Sequence, residues 1–489
     1  MKRIGILIVA YNAASTLAHV LDRIPRDFVP RIDRVLVTDD ASTDATYLVG
    51  LGYGQTTDLP LTVIRQPENL GYGGNQKAAY KWAMEHDLDI VVLLHGDGQY
   101  APEILPEIVA PLELDKCDAV FGSRMMHPGE ARRGGMPLYK YFGNKILTRF
   151  ENAVVGMDLS EWHSGYRAYN LAALRDIPFE ANSNGFDFDT QIIVQLHEAG
   201  KRIEEVPIPT YYGDEICYVD GIQYARDIVE HVTRYRFHKM GFGTGETAFA
   251  SDAYESKEGD ETSHGRLVAW LAARPRSRIL DLGCSDGSLA ERLRVYGHEV
   301  TAVDREEHAG VRDRVHRFVV GDLDDGIPDA VGDGYDVVLA ADVLEHVRRP
   351  EQLLADARDR LAPGGSIVAS VPNFAHWYPR TRVVLGRFDY DRRGILDHDH
   401  VRFFTRRSFE RLAKQGGLTV RRREAVGLPL EVAERGRRAR TAADGRATRA
   451  GGLASRLDRL GVALAPTLFA YQFLFELEPQ PEAVSAAPA

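Results

Sequence analysis

Asp97 and Gln99 stand two residues apart in the run His95-Gly96-Asp97-Gly98-Gln99, directly after the apolar stretch Ile90–Leu94. A carboxylate and a carboxamide flanked by glycine are hard oxygen donors. They suit Mg²⁺ or Mn²⁺, which take few protein ligands and leave the rest to phosphates and water. Gly-Asp-Gly is equally the chemistry of a turn. A second acidic run, Asp39-Asp40-Ala41-Ser42-Thr43-Asp44, follows the apolar Val35–Thr38. Its carboxylates can take the base or ribose hydroxyls of a nucleotide, and the plainer reading is an Asx-rich loop that caps a helix. Far along the chain, Asp281-Leu282-Gly283-Cys284-Ser285-Asp286-Gly287 joins an apolar run to a helical pattern, and Asp304 lies 17 residues beyond Gly287. Glycines let backbone approach a ligand, a helix N-terminus offers free N–H groups, and a carboxylate at the next strand's end can accept both hydroxyls of a ribose. A tight turn would use the same glycines.

The elements that must hold these residues alternate between strand and helix. Ile4–Ala10 reads as a buried strand, Ser15–Ile24 as a helix, Val35–Thr38 and Leu61–Arg65 as strands, and Asn75–His86 as a helix opened by a glycine-rich loop. The strand at Ile90 then ends at Asp97. The second half repeats the scheme with a helix His264–Ala273, the strand from Arg278, the helix Ser288–Arg294, and strands Glu299–Val303 and Ser366–Val371. Alternation of this kind predicts α/β folds with mostly parallel, doubly wound sheets, whose ligands bind at the strands' carboxyl ends.

Across nearly all of residues 1–220 the chain resembles the family 2 glycosyltransferases, most closely the dolichyl- or polyprenyl-phosphate sugar transferases. The matching pieces are LIVAYNAAST, VLVTDDASTD, ENLGYGGNQKAA, LLHGDGQYAPE, FGSRMM, HSGYRAY, GFDFDTQII and RIEEVPIPTYYGDE, in the family's order. The resemblance implies a GT-A-type nucleotide-sugar domain. In it Val9, Tyr11, Asp40 and Asp97 would contact the nucleotide-sugar, Asp97 and Gln99 would hold the metal on the diphosphate, and Arg124 would face an acceptor that is a phosphate. Two positions depart from the family. His95 replaces the first Asp of its Asp-x-Asp, and Ala13 replaces the carboxylate after Tyr-Asn. Glu161 stands where the family often has an acidic residue and would act as a base toward a hydroxyl acceptor; a surface charge at a helix end is the alternative. An acceptor phosphate, ionised near pH 7, needs no strong base.

Over roughly 264–425 the series RILDLGCSDG, Asp304, FVVGDLDDG, YDVVLAADVLEHV, LAPGG and VPN resembles the class I S-adenosyl-L-methionine-dependent methyltransferases, notably the small-molecule O-methyltransferases of the ubiquinone-biosynthesis type. It implies a second Rossmann-like domain in which Asp281, Gly283 and Gly287 form the cofactor loop, Asp304 binds ribose, and Asp322 with Leu323 borders the adenine. DLGCSDG lacks the GxGxxG spacing of a nicotinamide-binding loop. His346, His376, His398 and His400 are candidate bases, each with a structural or exposed role as its plainer reading.

Length and charge frame these modules. At 489 residues two or three domains are expected. The net charge of −11 excludes a general nucleic-acid binder. We read a glycosyltransferase domain over 1–240, a Gly/Ser/acid-rich linker over 241–263, and a methyltransferase domain over 264–489. Residues 421–459 carry 11 Arg against five acidic residues and read as a solvated insertion, centred near 430–459. Leu464–Leu477 reads as a final buried strand with a lead-in, completing an antiparallel edge. Cys117, Cys217 and Cys284 lack metal spacing and fit a reducing, cytoplasmic setting. No cleavage pattern follows Met1-Lys2-Arg3 and no run approaches a membrane span. Gly221–Lys239 reads as an amphipathic helix that packs on its own domain or lies on the inner face of a membrane. The expectation is a bifunctional transferase with a nucleotide-sugar donor and a lipid-phosphate or glycan acceptor. The alternative is an active methyltransferase behind a degenerate, glycan-presenting platform.

Overall fold

The computed structural model describes residues 2–210, 220–240, 242, 262–391, 393–428 and 453–480. They fall into two compact units, the first ending at Arg236 and the second taking in Phe237–Met240, Phe242 and everything described from Thr262 onward. Of the linker expected over 241–263, only Phe242, Thr262 and Ser263 are described.

The first unit is built on seven strands: β1 (Ile4–Ala10), β2 (Ile32–Asp39), β3 (Leu61–Arg65), β4 (Ile90–His95), β5 (Ala119–Ser123), β6 (Arg167–Asn170) and β7 (Ile203–Pro207). Their order is β3-β2-β1-β4-β6-β5-β7, and only β6 runs against its neighbours. Every residue of β1 is buried. Ile6 and Ile8 feed one apolar layer and Leu7 and Val9 the other, as a strand covered on both faces requires. The register pairs Val9 with both Thr38 and His95, so β1, β2 and β4 end level. That levelling brings the loops after Ala10, Asp39 and His95 to one edge of the sheet.

The glycine-rich loop enters its helix earlier than expected, at Tyr72 rather than Asn75. Gly71 makes the turn with φ +79°, and a Cβ on Gly73 would meet Ser183 O at 2.6 Å. The glycines therefore let this helix seat against the segment at 183–188. The helix Gly221–Lys239 buries Ile228, Val232 and Tyr235 in the first unit's core, so it packs on its own domain. No described helix is long and apolar enough to cross a membrane.

The second unit has strands β8 (Arg278–Leu282), β9 (Glu299–Asp304), β10 (Arg317–Val320), β11 (Tyr335–Ala341), β12 (Leu361–Pro372), β13 (Leu418–Val426) and β14 (Gln472–Pro479). The order is β10-β9-β8-β11-β12-β14-β13. Leu361-Ala-Pro-Gly-Gly, expected ahead of the strand, is drawn into β12, and the pairing with β11 slips between Tyr335 and Val337. The final strand also differs from expectation. β14 pairs antiparallel with both β12 and β13, which leaves β13 as the edge. The reason lies in composition: Phe473–Leu477 is buried, whereas Arg421–Arg423 on β13 are exposed and protect an edge from further pairing. The lead-in is the short helix Pro466–Phe469. Most of the Arg-rich insertion, 429–452, lies outside the described residues; Leu453–Leu464 is helical.

Candidate functional sites

Asp97 follows β4 in a turn that its own side chain closes, Oδ1 accepting the Gln99 N–H at 3.0 Å across Gly98. Gly98 holds φ +79°, and Gly96 packs so tightly beneath β1 that a Cβ there would lie 3.0 Å from Ala10. Both readings of this stretch are therefore compatible with its geometry: it is a turn, and the turn presents Asp97 and Gln99, both half-buried, at the common strand edge. The donor set, one carboxylate and one carboxamide, fits a hard cation that draws its other ligands from a diphosphate and water. Ala13, where the family has a carboxylate, is buried and lies 3.4 Å from the same hypothetical Gly96 Cβ.

His95 does not face outward as a second metal ligand would. Its ring stands edge-on to Tyr72 and Tyr100, at 5.5 and 5.0 Å between centroids. A Cβ on Gly165 would lie 2.6 Å from its Nε2, so only glycine fits there. Burial keeps the imidazole below its ordinary pKa despite the pull of Asp97 and Asp189, and it is neutral near pH 7. The Tyr100 hydroxyl accepts the Gly165 N–H at 2.6 Å, tying the loop after β4 to the 160–165 loop.

Arg124 follows β5, and the 160–165 loop brings Glu161 onto it. Glu161 Oε2 accepts the Arg124 backbone N–H at 2.7 Å, and Oε1 accepts Nε at 2.9 Å and a further bond from Nη2. Asn144 donates to the same carboxylate at 2.8 Å, and Arg124 Nη2 also donates to His163 O at 3.0 Å. Burial opposes ionisation of Glu161, but Arg124 outweighs it and holds the carboxyl below the usual range. A fully buried carboxylate with four donors is a weak base, and its bonds hold the Arg124 guanidinium in one orientation. Glu205 supports the loop from β7, accepting the Ser160 N–H at 2.8 Å.

Asp40 is buried, with Oδ1 accepting the Leu70 N–H at 2.7 Å, so it pins the glycine-rich loop to the end of β2. Burial raises its pKa against those backbone bonds. Val9 is buried at the end of β1, and Tyr11 beyond it is exposed. Asp39–Asp44 proves to be a braced loop: Asp44 caps the helix Thr46–Gly54 through the Thr46 N–H at 2.9 Å and receives the Ala14 N–H at 3.1 Å. Tyr72, Arg167 and Asp189, to which the sequence motifs alone assign no role, interlock beneath His95. Tyr72 donates to Asp189 Oδ2 at 2.8 Å, and Arg167, 1% exposed, lies 3.7 Å from the same carboxylate. Asp187 and Asp189, two apart in GFDFDTQII, were the available signal.

In the second unit, the ends of β10, β9, β8 and β11 stand side by side. Asp304 Oδ2 accepts the Ser285 N–H at 2.7 Å, holding the loop in which Gly283 and Gly287 take φ +66° and +79°. A Cβ on Gly283 would press to 2.8 Å from Val343. Asp281 is fully buried and its Oδ2 has no partner among the described residues. Burial, then Asp304, push its pKa up to about 7. A buried orphan oxygen of this kind fits a ligand that brings its own N–H or cationic group, such as the ammonium of a methionine-like moiety. Asp322 is exposed beyond β10 in an Asx turn, its Oδ1 accepting Asp324 N–H at 2.9 Å, with Leu323 half-buried next to it.

Sequence reasoning did not single out Asp342 and His264. Asp342 follows β11 with φ +57°, accepts from Gln472 at 2.7 Å, and lies 3.6 Å from His264. Among the candidate histidines, His376 caps the helix Trp377–Val384, and burial lowers its pKa to about 4, a structural role. His346 and His400 meet edge to face with ring centroids 4.8 Å apart and, with Glu345, bring three potential ligand atoms within 4.8 Å of one another. His398 is exposed between Asp397 and Asp399.

Comparison with known proteins follows the two units. Residues 5–177 match the family Glycosyl transferase family 2, and residues 254–422 match a Methyltransferase domain family. An undecaprenyl-phosphate mannosyltransferase from Micrococcus luteus is 32% identical over 210 residues, 42% of this chain and 82% of that protein. Among solved structures, glucosyl-3-phosphoglycerate synthase from Mycobacterium tuberculosis with Mn²⁺, uridine diphosphate and phosphoglyceric acid has a TM-score of 0.36 at 19% identity, over 48% of this chain and 78% of that one. A Burkholderia thailandensis 1,6-didemethyltoxoflavin-N1-methyltransferase with bound S-adenosylhomocysteine has a TM-score of 0.30 at 18% identity, over 45% and 80%.

Proposed function

Since the chain belongs to glycosyl transferase family 2 and carries a methyltransferase domain behind that module, we propose that it is a bifunctional transferase, moving a sugar from a nucleotide donor onto a lipid phosphate and a methyl group onto a hydroxyl of a small molecule or glycan. The observation that carries the first half is the Arg124–Glu161 pair. A guanidinium held by a carboxylate that is itself too well bonded to act as a base suits an acceptor that arrives already ionised. A phosphate is such an acceptor; a hydroxyl is not. The relative from Micrococcus luteus, named for undecaprenyl phosphate, supports the same acceptor class.

In this reading Asp97 and Gln99 hold Mg²⁺ or Mn²⁺, which when bound neutralises the diphosphate leaving group. Arg124 aligns the acceptor phosphate, and Glu161 positions Arg124. Asp40 keeps the glycine-rich loop against the nucleotide's edge of the sheet, with Val9 and Tyr11 beside it. His95 is a neutral packing residue, which leaves Asp97 as the metal carboxylate. The competing reading, a platform that only presents glycan, draws on the same His95. Nucleoside diphosphate release from a panel of UDP-, GDP- and TDP-sugars, measured with and without lipid phosphate, separates the two: a platform releases none.

For the second half, S-adenosyl-L-methionine supplies the electrophilic methyl group; the protein aligns the nucleophile and excludes water. Asp304 would take the ribose hydroxyls, Asp322 and Leu323 would border the adenine, and Asp281 would meet the ammonium. Asp304→Ala removes both the ribose acceptor and the anchor of Ser285, and is expected to weaken S-adenosyl-L-methionine binding about 10- to 100-fold by calorimetry; unchanged affinity would remove Asp304 from the site.

Asp281 adds a pH dependence. With a free-state pKa of about 7, it is mostly protonated at pH 6 and mostly ionised at pH 8. A cationic ligand selects the ionised form, so affinity should rise about tenfold from pH 6 to pH 8, with proton release on binding. In folding the sign is opposite: the folded state keeps a proton that the unfolded chain releases. Stability from this group therefore falls as pH rises from the ordinary carboxylate range to about 7, then levels. Calorimetry in buffers of different ionisation enthalpy reads the released proton, and Asp281→Asn should abolish it.

A further inference from the structure

The helix Leu138–Val155 is apolar on two sides. Inward it packs Leu147, Phe150, Val154 and Val155 on the core and buries Thr148 and Glu151 among them, and Asn144 reaches Glu161 behind Arg124. Outward, Leu138, Phe142 and Ile146 are 57%, 56% and 68% exposed, with Tyr139 beside them at 73%. At 100° per residue these side chains share roughly a third of the helix circumference. A surface helix normally turns its polar side to water, so this arrangement is reversed. Lys145 and Arg149 lie on the same outer face and are exposed. From Arg124 to Phe150 the chain has six Lys/Arg against the single acid Glu130, within a protein of net charge −11.

An apolar stripe flanked by cations is complementary to one partner above others: an anionic lipid surface, whose acyl region takes the stripe and whose headgroups take the cations. We infer that the helix Leu138–Val155 docks the protein on an anionic bilayer and, through Asn144 and Glu161, places Arg124 at the headgroup level. The inference rests on the proposed lipid-phosphate acceptor. The surface is distinct from the helix Gly221–Lys239, whose apolar side is spent on the core.

The test uses the full chain and extruded vesicles of phosphatidylcholine, with and without phosphatidylglycerol. Wild type should sediment with the anionic vesicles and be released by salt. Lys145→Ala and Arg149→Ala should each weaken binding about fivefold, the equivalent of about 1 kcal/mol per cation near such a surface. Phe142→Glu with Ile146→Glu should abolish it. That double variant should still transfer sugar to a soluble two-isoprene phosphate, which shows that it is folded, while losing transfer to a long-chain polyprenyl phosphate embedded in the vesicles. Vesicle binding unchanged by all these substitutions would overturn the inference. So would a wild-type dimer that Phe142→Glu dissociates without affecting vesicle binding, since the stripe would then be a subunit contact. If no lipid phosphate accepts sugar from any variant, the functional reading fails, and vesicle binding still decides this inference on its own.

Discussion

Asp97→Asn should reduce nucleoside diphosphate release by about 10²- to 10³-fold while leaving the fold intact. The substitution keeps an oxygen that can accept the Gln99 N–H, now at 3.0 Å, so the turn survives. What is lost is the negative charge that a bound cation would need. Since His95 points into a box of Tyr72, Tyr100 and Gly165, no second carboxylate of an Asp-x-Asp pair stands ready to compensate. The loss should therefore be steeper than where two acids share the cation, and excess Mn²⁺ should recover part of it. Gln99→Ala, which removes a neutral ligand, should cost about tenfold. The measurement is steady-state diphosphate release over a Mn²⁺ series. Near-wild-type rates for Asp97→Asn at low Mn²⁺ would mean that the cation, if used, is held elsewhere.

Arg124→Ala should lower transfer to a phosphate acceptor by about 10²-fold or more, because the group that aligns the anion is gone. It should also destabilise the protein by about 3–5 kcal/mol, since Glu161 is left buried without its counter-charge. The two effects separate by pH. In the wild type, Arg124 holds the Glu161 pKa below the ordinary value, so the pair's stabilisation is present at neutral pH and is lost as pH falls through that depressed pKa. In Arg124→Ala the residue-124 backbone N–H and Asn144 still oppose burial, but the counter-charge is gone and Glu161 takes up a proton more readily. The stability deficit relative to wild type should shrink as pH falls from 7 toward 5. Adding Glu161→Gln to Arg124→Ala should recover much of the stability and none of the activity. A double variant that regained transfer would show that Arg124 only holds the loop.

The sequence carried the strand ends well. Ile4–Ala10 and Leu61–Arg65 coincide with β1 and β3, because a short apolar run bounded by polar residues has few other ways to bury itself. Asp97 was legible for the same reason: the polar residue that ends a buried strand sits at its mouth. The pairing of Arg124 with Glu161 was not, for 37 residues separate them and no local period links them. Nor was the fate of His95, which depends on glycine at 165 and on rings at 72 and 100. The position of β14 between β12 and β13 is a long-range pairing decided by which strand can tolerate water, and Arg421–Arg423 were visible but were read as an insertion. His264 and Asp342 meet across 78 residues at a backbone position with positive φ, which leaves no sequence mark on a non-glycine residue.

If sugar passes onto a lipid phosphate, the choice between phosphate and alcohol acceptors is decisive. Radiolabelled UDP-, GDP- and TDP-sugars would be incubated with the full chain, Mn²⁺, and either a short polyprenyl phosphate or the matching polyprenol. Labelled lipid is expected with the phosphate alone, from one class of donor. Labelling of the polyprenol at a comparable rate, or diphosphate release indifferent to both lipids, would contradict it.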